Sequence, residues 1–259
     1  MRKPVSHPLE AAATLVGTAI GAGVLGLPYA VSKAGFGIGI AMLLGLGWLN
    51  IILQTMFAEV TLRTEQQHQI PGYAGIYLGS LAKKLASLIG LTAGYGVLLA
   101  YIIASGQILF SLFGGPSAAF WSLAYFAFVS FIIYKGLNTI KILEVLMSAM
   151  VAAIMVFIWS AAFPHVQPAH LFTWNFQNIP QVYGILLFAL SATISIPEVR
   201  QELVGREKSF PKIIIAANIF VIVIYTLFIF FVLGVTGAHT TPVATIGLGR
   251  AIGPWLQVA

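Results

Sequence analysis

Two apolar stretches of the chain carry residues that an unbroken helix does not favour. The first, VGTAIGAGVLGLPYAV, places Gly17, Gly21, Gly23 and Gly26 close together and follows them with Pro28. Inside a helix each glycine costs about 1 kcal/mol relative to alanine, and proline about 3 kcal/mol. The second, YGILLFALSATISIPEVRQEL, has an interior of small and hydroxyl residues (Ala189, Ser191, Ala192, Thr193, Ser195) ending at Pro197. Broken backbone leaves N–H groups at the start of one half-helix and carbonyls at the end of the other, a positive and a negative pole. Such poles can hold an anion and a cation without any ionised side chain. Close helix packing through small residues is the alternative use of the same glycines. The Gly-Ala-Gly triplet at 21–23 favours a break, because backbone freed at membrane depth persists only where it lines a cavity or meets a ligand.

Side-chain chemistry is sparse. All seven acidic residues are Glu, and the chain has neither Asp nor Cys. That excludes aspartyl catalysis, thiolate metal sites, Cys nucleophiles and disulfides. The histidines (His7, His68, His165, His170, His239) fall in tails or loops without helical metal-site spacing, so no metal and no cofactor is expected. No His shares a span with a candidate serine, and Lys212 sits at the end of its span, so neither a membrane-embedded protease nor a retinal protein is indicated. Glu59 lies four residues before Arg63, and Glu144 three after Lys141, both pairs at span ends. Glu198 follows Pro197 in a cluster with Arg200, Glu202 and Arg206, where ion pairs could form and break with a gate. Glu198, and after it Glu59, are the gate or protonation candidates; Glu10 is an interface charge.

The elements that carry these residues are membrane helices. Of 259 residues 59% are apolar and 8% charged, against about 25% charge in a soluble domain. Soluble enzymes and nucleic-acid binders are thereby excluded. Seven runs reach the length of a span, at about 11–32, 36–62, 85–113, 118–134, 142–162, 181–197 and 211–236. They are long and lack alternation, which excludes a β-barrel. The chain reads as a single transmembrane domain over 1–259, an all-α polytopic bundle. With the N-terminus inside, Arg2, Lys3, Arg63, Lys83, Lys84, Lys135, Lys141, Arg200, Arg206, Lys208 and Lys212 face the cytoplasm, and only Lys33 and Arg250 face out. The net charge of +6 is thus a sidedness signal, and predicts a plasma (cytoplasmic) membrane protein with a cytoplasmic N-terminus. The polar 63–84 stretch is expected to lie along the inner face, with Tyr73, Ile76 and Tyr77 against the bundle.

The two interrupted helices are the first and the sixth. A five-helix offset puts them at matching positions of two inverted repeats, the best sequence pointer to a transporter's central site. GTAIGAGVLGLP at 17–28, with AGF at 34–36, Trp48, AEV at 58–60, LLAYIIASGQIL at 98–109 and LFALSATISIPEVRQEL at 187–203, resembles the amino acid permeases of the amino acid–polyamine–organocation superfamily. The likeness is greatest to the branch of aromatic amino acid permeases and amino acid/auxin permeases. The resemblance implies a LeuT-type inverted-repeat fold and a secondary transporter moving neutral, aromatic amino acids by alternating access. It places the substrate carboxylate at the N–H groups of Gly21, Ala22 and Gly23. It places the ammonium at carbonyls near Thr18, Ala19 and Ile20 and near Phe188, Ala189 and Ser191. It makes Phe188 an aromatic lid and turns Tyr101 and Ser105 toward the site. Relatives have Gly where Ala192 stands, so a shifted or shorter break is expected in the sixth helix.

Seven helices fall short of the ten that such a fold requires. Residues 1–162 are expected to form the first five-helix repeat and 181–259 the start of a second, as in a C-terminally truncated chain; a native seven-helix protein is the alternative. A sodium site in this fold draws on helix 8, and some proton-coupled relatives place a Lys in mid helix 5, where Ser148 is the polar residue here. Coupling to H+ rather than Na+ is what the resemblance implies. The expected partners are an amino acid and the lipid bilayer, with no nucleic acid; nothing sets an oligomeric state. A non-transporting sensor or a channel on the same fold is the alternative function.

Overall fold

The computed structural model describes residues 8–21, 23–134 and 153–253. The helices are α1 (Pro8–Ala19), α2 (Gly23–Ala34), α3 (Phe36–Arg63), α4 (Ile70–Leu78), α5 (Ser80–Phe113) and α6 (Ala118–Tyr134). After the undescribed stretch come α7 (Ala153–His165), α8 (Ile179–Ala189), α9 (Ile196–Glu202), α10 (Phe210–Thr236) and α11 (Ala244–Ala251). The described residues contain no strand. Lys135, Lys141, Glu144 and Ser148 lie outside the described residues, as do Ala22, Arg2, Lys3 and His7.

Four segments are long and apolar enough to cross a membrane on their own: Phe36–Arg63, Ser80–Phe113, Phe176–Glu202 and Glu207–His239. The first expected span is instead two short helices, α1 and α2, and α6 is a shorter apolar helix. The expected start of the third span at about 85 moves to Ser80, so Lys83 and Lys84 belong to the first turns of α5. The turn glycine Gly79, at φ 89°, separates α4 from α5 and allows the helix to begin there.

The core is built around α10, which packs against α1, α2 and α3, while α2 also packs against α8. Tyr225, Phe228, Ile229, Val232 and Leu233 of α10 are buried with Leu27 and Val31 of α2, Leu43 of α3 and Leu186 of α8. Lipid tails are as apolar as these side chains, so close packing rather than water exclusion holds such helices together. Small residues make the approach close: a β-carbon on Gly39 would collide with Val31, and one on Gly47 with Ile222.

Two peripheral features frame this core. The α5–α6 hairpin projects exposed apolar side chains such as Leu88, Ile89, Leu98, Phe126 and Phe131, a surface that suits lipid. At the opposite end from the N-terminus, the 163–180 loop folds back on the bundle. Asn175 N–H donates to Ala34 O at 2.8 Å and the Asn178 amide to Lys33 O at 2.9 Å, closing the last carbonyls of α2. Gly35, at φ 99°, has the Thr173 carbonyl where a β-carbon would stand, so only glycine fits the α2–α3 turn.

Candidate functional site

The chain leaves helical geometry in mid-bundle twice. At the first break Ile20 N–H donates to Val16 O at 2.8 Å, Gly21 N–H turns back to Ala19 O at 2.8 Å, and α2 begins at Gly23. At the second, Ser191 N–H donates to Phe188 O at 3.1 Å and Ala192 N–H turns back to Leu190 O at 3.0 Å. Both breaks therefore close with the same tight three-residue turn. A 3-10 turn, Thr193–Ser195, then leads into α9 at Ile196. The break is present with Ala192 in it. Pro197 stands in the first turn of α9, where its missing N–H costs no helical hydrogen bond. The backbone between Ala189 and Ile196 is left outside α-helix.

The two breaks meet. A β-carbon on Gly23 would lie 3.1 Å from the Phe188 ring and 3.3 Å from the Ala189 α-carbon. Tyr101 of α5 reaches in from the other side, its hydroxyl occupying the place of a Gly21 β-carbon. Ser105 lies one helical turn further along α5, partly buried. The Ala19 and Ala189 carbonyls, one at the end of α1 and one at the end of α8, both point at the Tyr225 hydroxyl, at 2.6 and 2.9 Å. Ala19, Gly21, Gly23, Tyr101, Phe188 and Ala189 thus gather in one place. Thr18 and Ser191 are exposed, and the Thr18 hydroxyl donates to Thr14 O at 2.7 Å. Phe188 stands beside the breaks and is 47% exposed.

Four site residues escape a motif reading. Tyr225 is one; the others form an amide chain behind the second break. The Asn50 amide donates to Leu190 O and to Asn218 Oδ1, each at 3.0 Å, and Asn218 donates to Gln54 Oε1 at 2.8 Å. Gln54 is fully buried and its Nε2 has no hydrogen-bond partner. The signal was present in the sequence: Asn50 and Gln54 are four apart on one face of a span that is apolar up to Asn50, and Asn218 is the one amide side chain in the run that forms α10. Polar side chains inside a bilayer are costly unless they hydrogen-bond between helices.

At the basic end of the bundle the expected ion-pair cluster takes a different form. Arg200 donates from Nη1 to the Tyr73 hydroxyl at 3.1 Å and from Nη2 to Thr64 O at 2.8 Å. It thereby caps the buried Thr64 carbonyl at the C-terminal end of α3 and clips α4 to α9, a use of the planar five-donor group that needs no carboxylate partner. Glu202 accepts from the Thr14 hydroxyl at 3.1 Å, while Glu198 and Arg206 are exposed. Glu59 pairs with Arg63 one turn away, both well exposed. Of the three residues expected to face the bundle from the 63–84 stretch, Tyr73 is buried, whereas Ile76 and Tyr77 are each 53% exposed. Tyr77 lies outward because its hydroxyl reaches the Thr64 side chain, at 2.9 Å, from the rim.

Two broken helices thus stand back to back in the bundle. Residues 6–247 match the tryptophan/tyrosine permease family. The chain belongs to that family. It is also 28% identical, over 231 residues, to the tyrosine-specific transport system 1 of Haemophilus influenzae, a match covering 88% of this chain and 56% of that protein. The chain thus spans about half the length of this curated relative. Family and relative are transport proteins, not enzymes, and with its apolar helices this permease-family chain is a multi-pass membrane protein.

Proposed function

We propose that this chain carries the substrate site of a secondary transporter for aromatic amino acids. The observation that carries the reading is the convergence of the two helix breaks, with Gly23 against Phe188 and both half-helix carbonyl ends at one point. The first break, with Gly21 and the start of α2 at Gly23, presents a positive pole to the carboxylate; Gly21 N–H, which donates to Ala19 O, has to exchange that partner for the substrate, and Ala22 is assigned to the same cradle from the sequence alone. The ends of α1 and α8, from Thr18 to Ile20 and from Phe188 to Ser191, offer the negative poles to the ammonium. Phe188 and Tyr101 present aromatic faces on which an aromatic side chain stacks or packs edge-on, and Ser105 supplies a hydroxyl nearby. The family and the tyrosine-transporting relative agree with a ring-bearing substrate.

Residues 1–162 and 181–259 are drawn, in this reading, from two inverted repeats of a LeuT-type fold that rock about the site. The basic end faces the cytoplasm of a plasma-membrane protein, by the excess of Lys and Arg there. Transport is coupled to protons in preference to sodium, with Glu198, exposed at that end, as the first protonation candidate and Glu59 as the second.

The test is uptake of radiolabelled L-tyrosine and L-tryptophan into proteoliposomes containing the chain, under a proton gradient and, separately, a sodium gradient. Saturable, stereoselective uptake that the proton gradient drives harder supports the proposal. Sodium-driven uptake would overturn the coupling assignment alone. Stereoselective binding without any uptake would replace transport by sensing, and absence of both would overturn the site.

A further inference from the structure

The Tyr225 hydroxyl is the point at which the ends of α1 and α8 meet. It lies 2.6 Å from Ala19 O and 2.9 Å from Ala189 O, on a side chain with no exposed surface. Each helix end carries about half an elementary negative charge on its terminal carbonyls. Two such ends facing one another in a low-dielectric interior repel unless something positive lies between them. Ala19 O already accepts the Gly21 N–H, so this oxygen belongs to the first break itself, and Ala189 O opens the second. One O–H group shared between two acceptors ties the breaks to each other and ties both to α10, the helix at the centre of the core.

We propose that Tyr225 is a positioning residue for the substrate's ammonium pole: its hydroxyl sets the separation of the Ala19 and Ala189 carbonyls. The inference rests on the reading of the breaks as the substrate site. The Phe188 ring, packed on Gly23, and the ends of α1 and α8 are then held in one frame by a group that never touches the substrate's reacting or recognised edge. Asn50, donating to Leu190 O one residue further on, performs the same service for the second break alone. Loss of the Tyr225 hydroxyl leaves two carbonyls facing each other without a donor, and the breaks spread apart.

The experiment compares Tyr225→Phe with Phe228→Leu, a substitution at another fully buried α10 position that carries no hydrogen-bonding group. Two quantities are measured in nanodiscs: the Kd for L-tyrosine per folded protein, and the distance between spin labels at Ala13→Cys on α1 and Tyr183→Cys on α8. The chain has no cysteine of its own, so the labels report without background. Tyr225→Phe is expected to raise Kd about tenfold, with the number of sites unchanged, and to lengthen or broaden the distance distribution. Phe228→Leu is expected to lower thermal stability with Kd within twofold of the parent and the distances unchanged. Incorporation of 3-fluorotyrosine at 225 keeps ring and hydroxyl but makes a stronger donor, and is expected to lower Kd; it also serves if Tyr225→Phe does not fold. An unchanged Kd and an unchanged distance in the 225 variants that fold would overturn the proposal. Failure of the parent chain to bind tyrosine overturns the substrate-site reading instead, and the distance measurement still judges the clamp.

Discussion

Gly23 and Phe188 are in contact across the two helix breaks, the ring 3.1 Å from where a β-carbon on Gly23 would stand and the Ala189 backbone 3.3 Å from it. An alanine at Gly23, the first residue of α2, would favour helix by less than the roughly 1 kcal/mol of an interior position. It would also displace the Phe188 ring, and the Ala189 α-carbon behind it is backbone with little room to yield. Gly23→Ala is therefore expected to keep or slightly raise the melting temperature while lowering aromatic amino acid uptake by at least tenfold. A thermal melt and an uptake assay on the same preparation check both halves; undiminished uptake would remove Gly23 from the site.

Gly21 presents the complementary case, since the obstacle to its β-carbon is the hydroxyl tip of Tyr101. Gly21 is not at positive φ, so alanine meets no backbone penalty there. Gly21→Ala should reduce uptake, and Tyr101→Phe in the same chain should restore part of it by removing the colliding oxygen. A double-mutant cycle on KM measures the coupling, expected at about 1 kcal/mol or more for residues in contact. Additive effects would show that Tyr101 and Gly21 do not share a site.

The positions of both breaks were legible because glycine, proline and small hydroxyl residues are costly in mid-helix and their placement is local information. The apolar helices α3, α5, α6 and α10 were legible to within a few residues at most ends, because an unbroken apolar run is local information too. What joins the breaks was not. Tyr225 sits in an apolar run where an aromatic residue ordinarily faces lipid or core, and only the fold carries its hydroxyl to Ala19 and Ala189. Arg200 likewise reads as one charge in a charged stretch, yet its partners Thr64 and Tyr73 lie more than a hundred residues earlier in the chain.

The amide chain of Asn50, Asn218 and Gln54 makes a stability prediction. Asn218 accepts from Asn50 and donates to Gln54, which is fully buried. Asn218→Leu leaves Gln54 Oε1 without its donor inside the bundle and frees Asn50 to hold Leu190 O alone. The expected cost is about 1–2 kcal/mol, in the upper range for interhelical hydrogen bonds in membranes. Thermal unfolding in detergent checks it. Asn218→Leu combined with Gln54→Leu should recover part of the loss, because removing both partners avoids the orphaned group.

At the basic end the charged residues separate by what they hold. Arg200 makes two hydrogen bonds to groups on or beside other helices, whereas the Glu59–Arg63 pair sits on one face of α3 with both side chains well exposed. Exposed pairs of this kind contribute about 0.5 kcal/mol or less, so Glu59→Gln should leave stability nearly unchanged. Arg200→Ala orphans the Thr64 carbonyl at the end of α3 and leaves the Tyr73 hydroxyl with the long bond from His68 N–H, 3.4 Å, at an expected cost of about 2–3 kcal/mol. Arg200→Lys restores a charge but not the paired donors, and should recover less than half of that loss. Because α9 continues from the second break, releasing it from α3 and α4 should also change transport. Uptake rates per folded protein for Arg200→Lys, Glu59→Gln and Glu198→Gln separate the roles. A fall confined to Arg200→Lys identifies the clip as the working element at this end. A loss of proton stimulation confined to Glu198→Gln identifies that carboxylate as the titrating group.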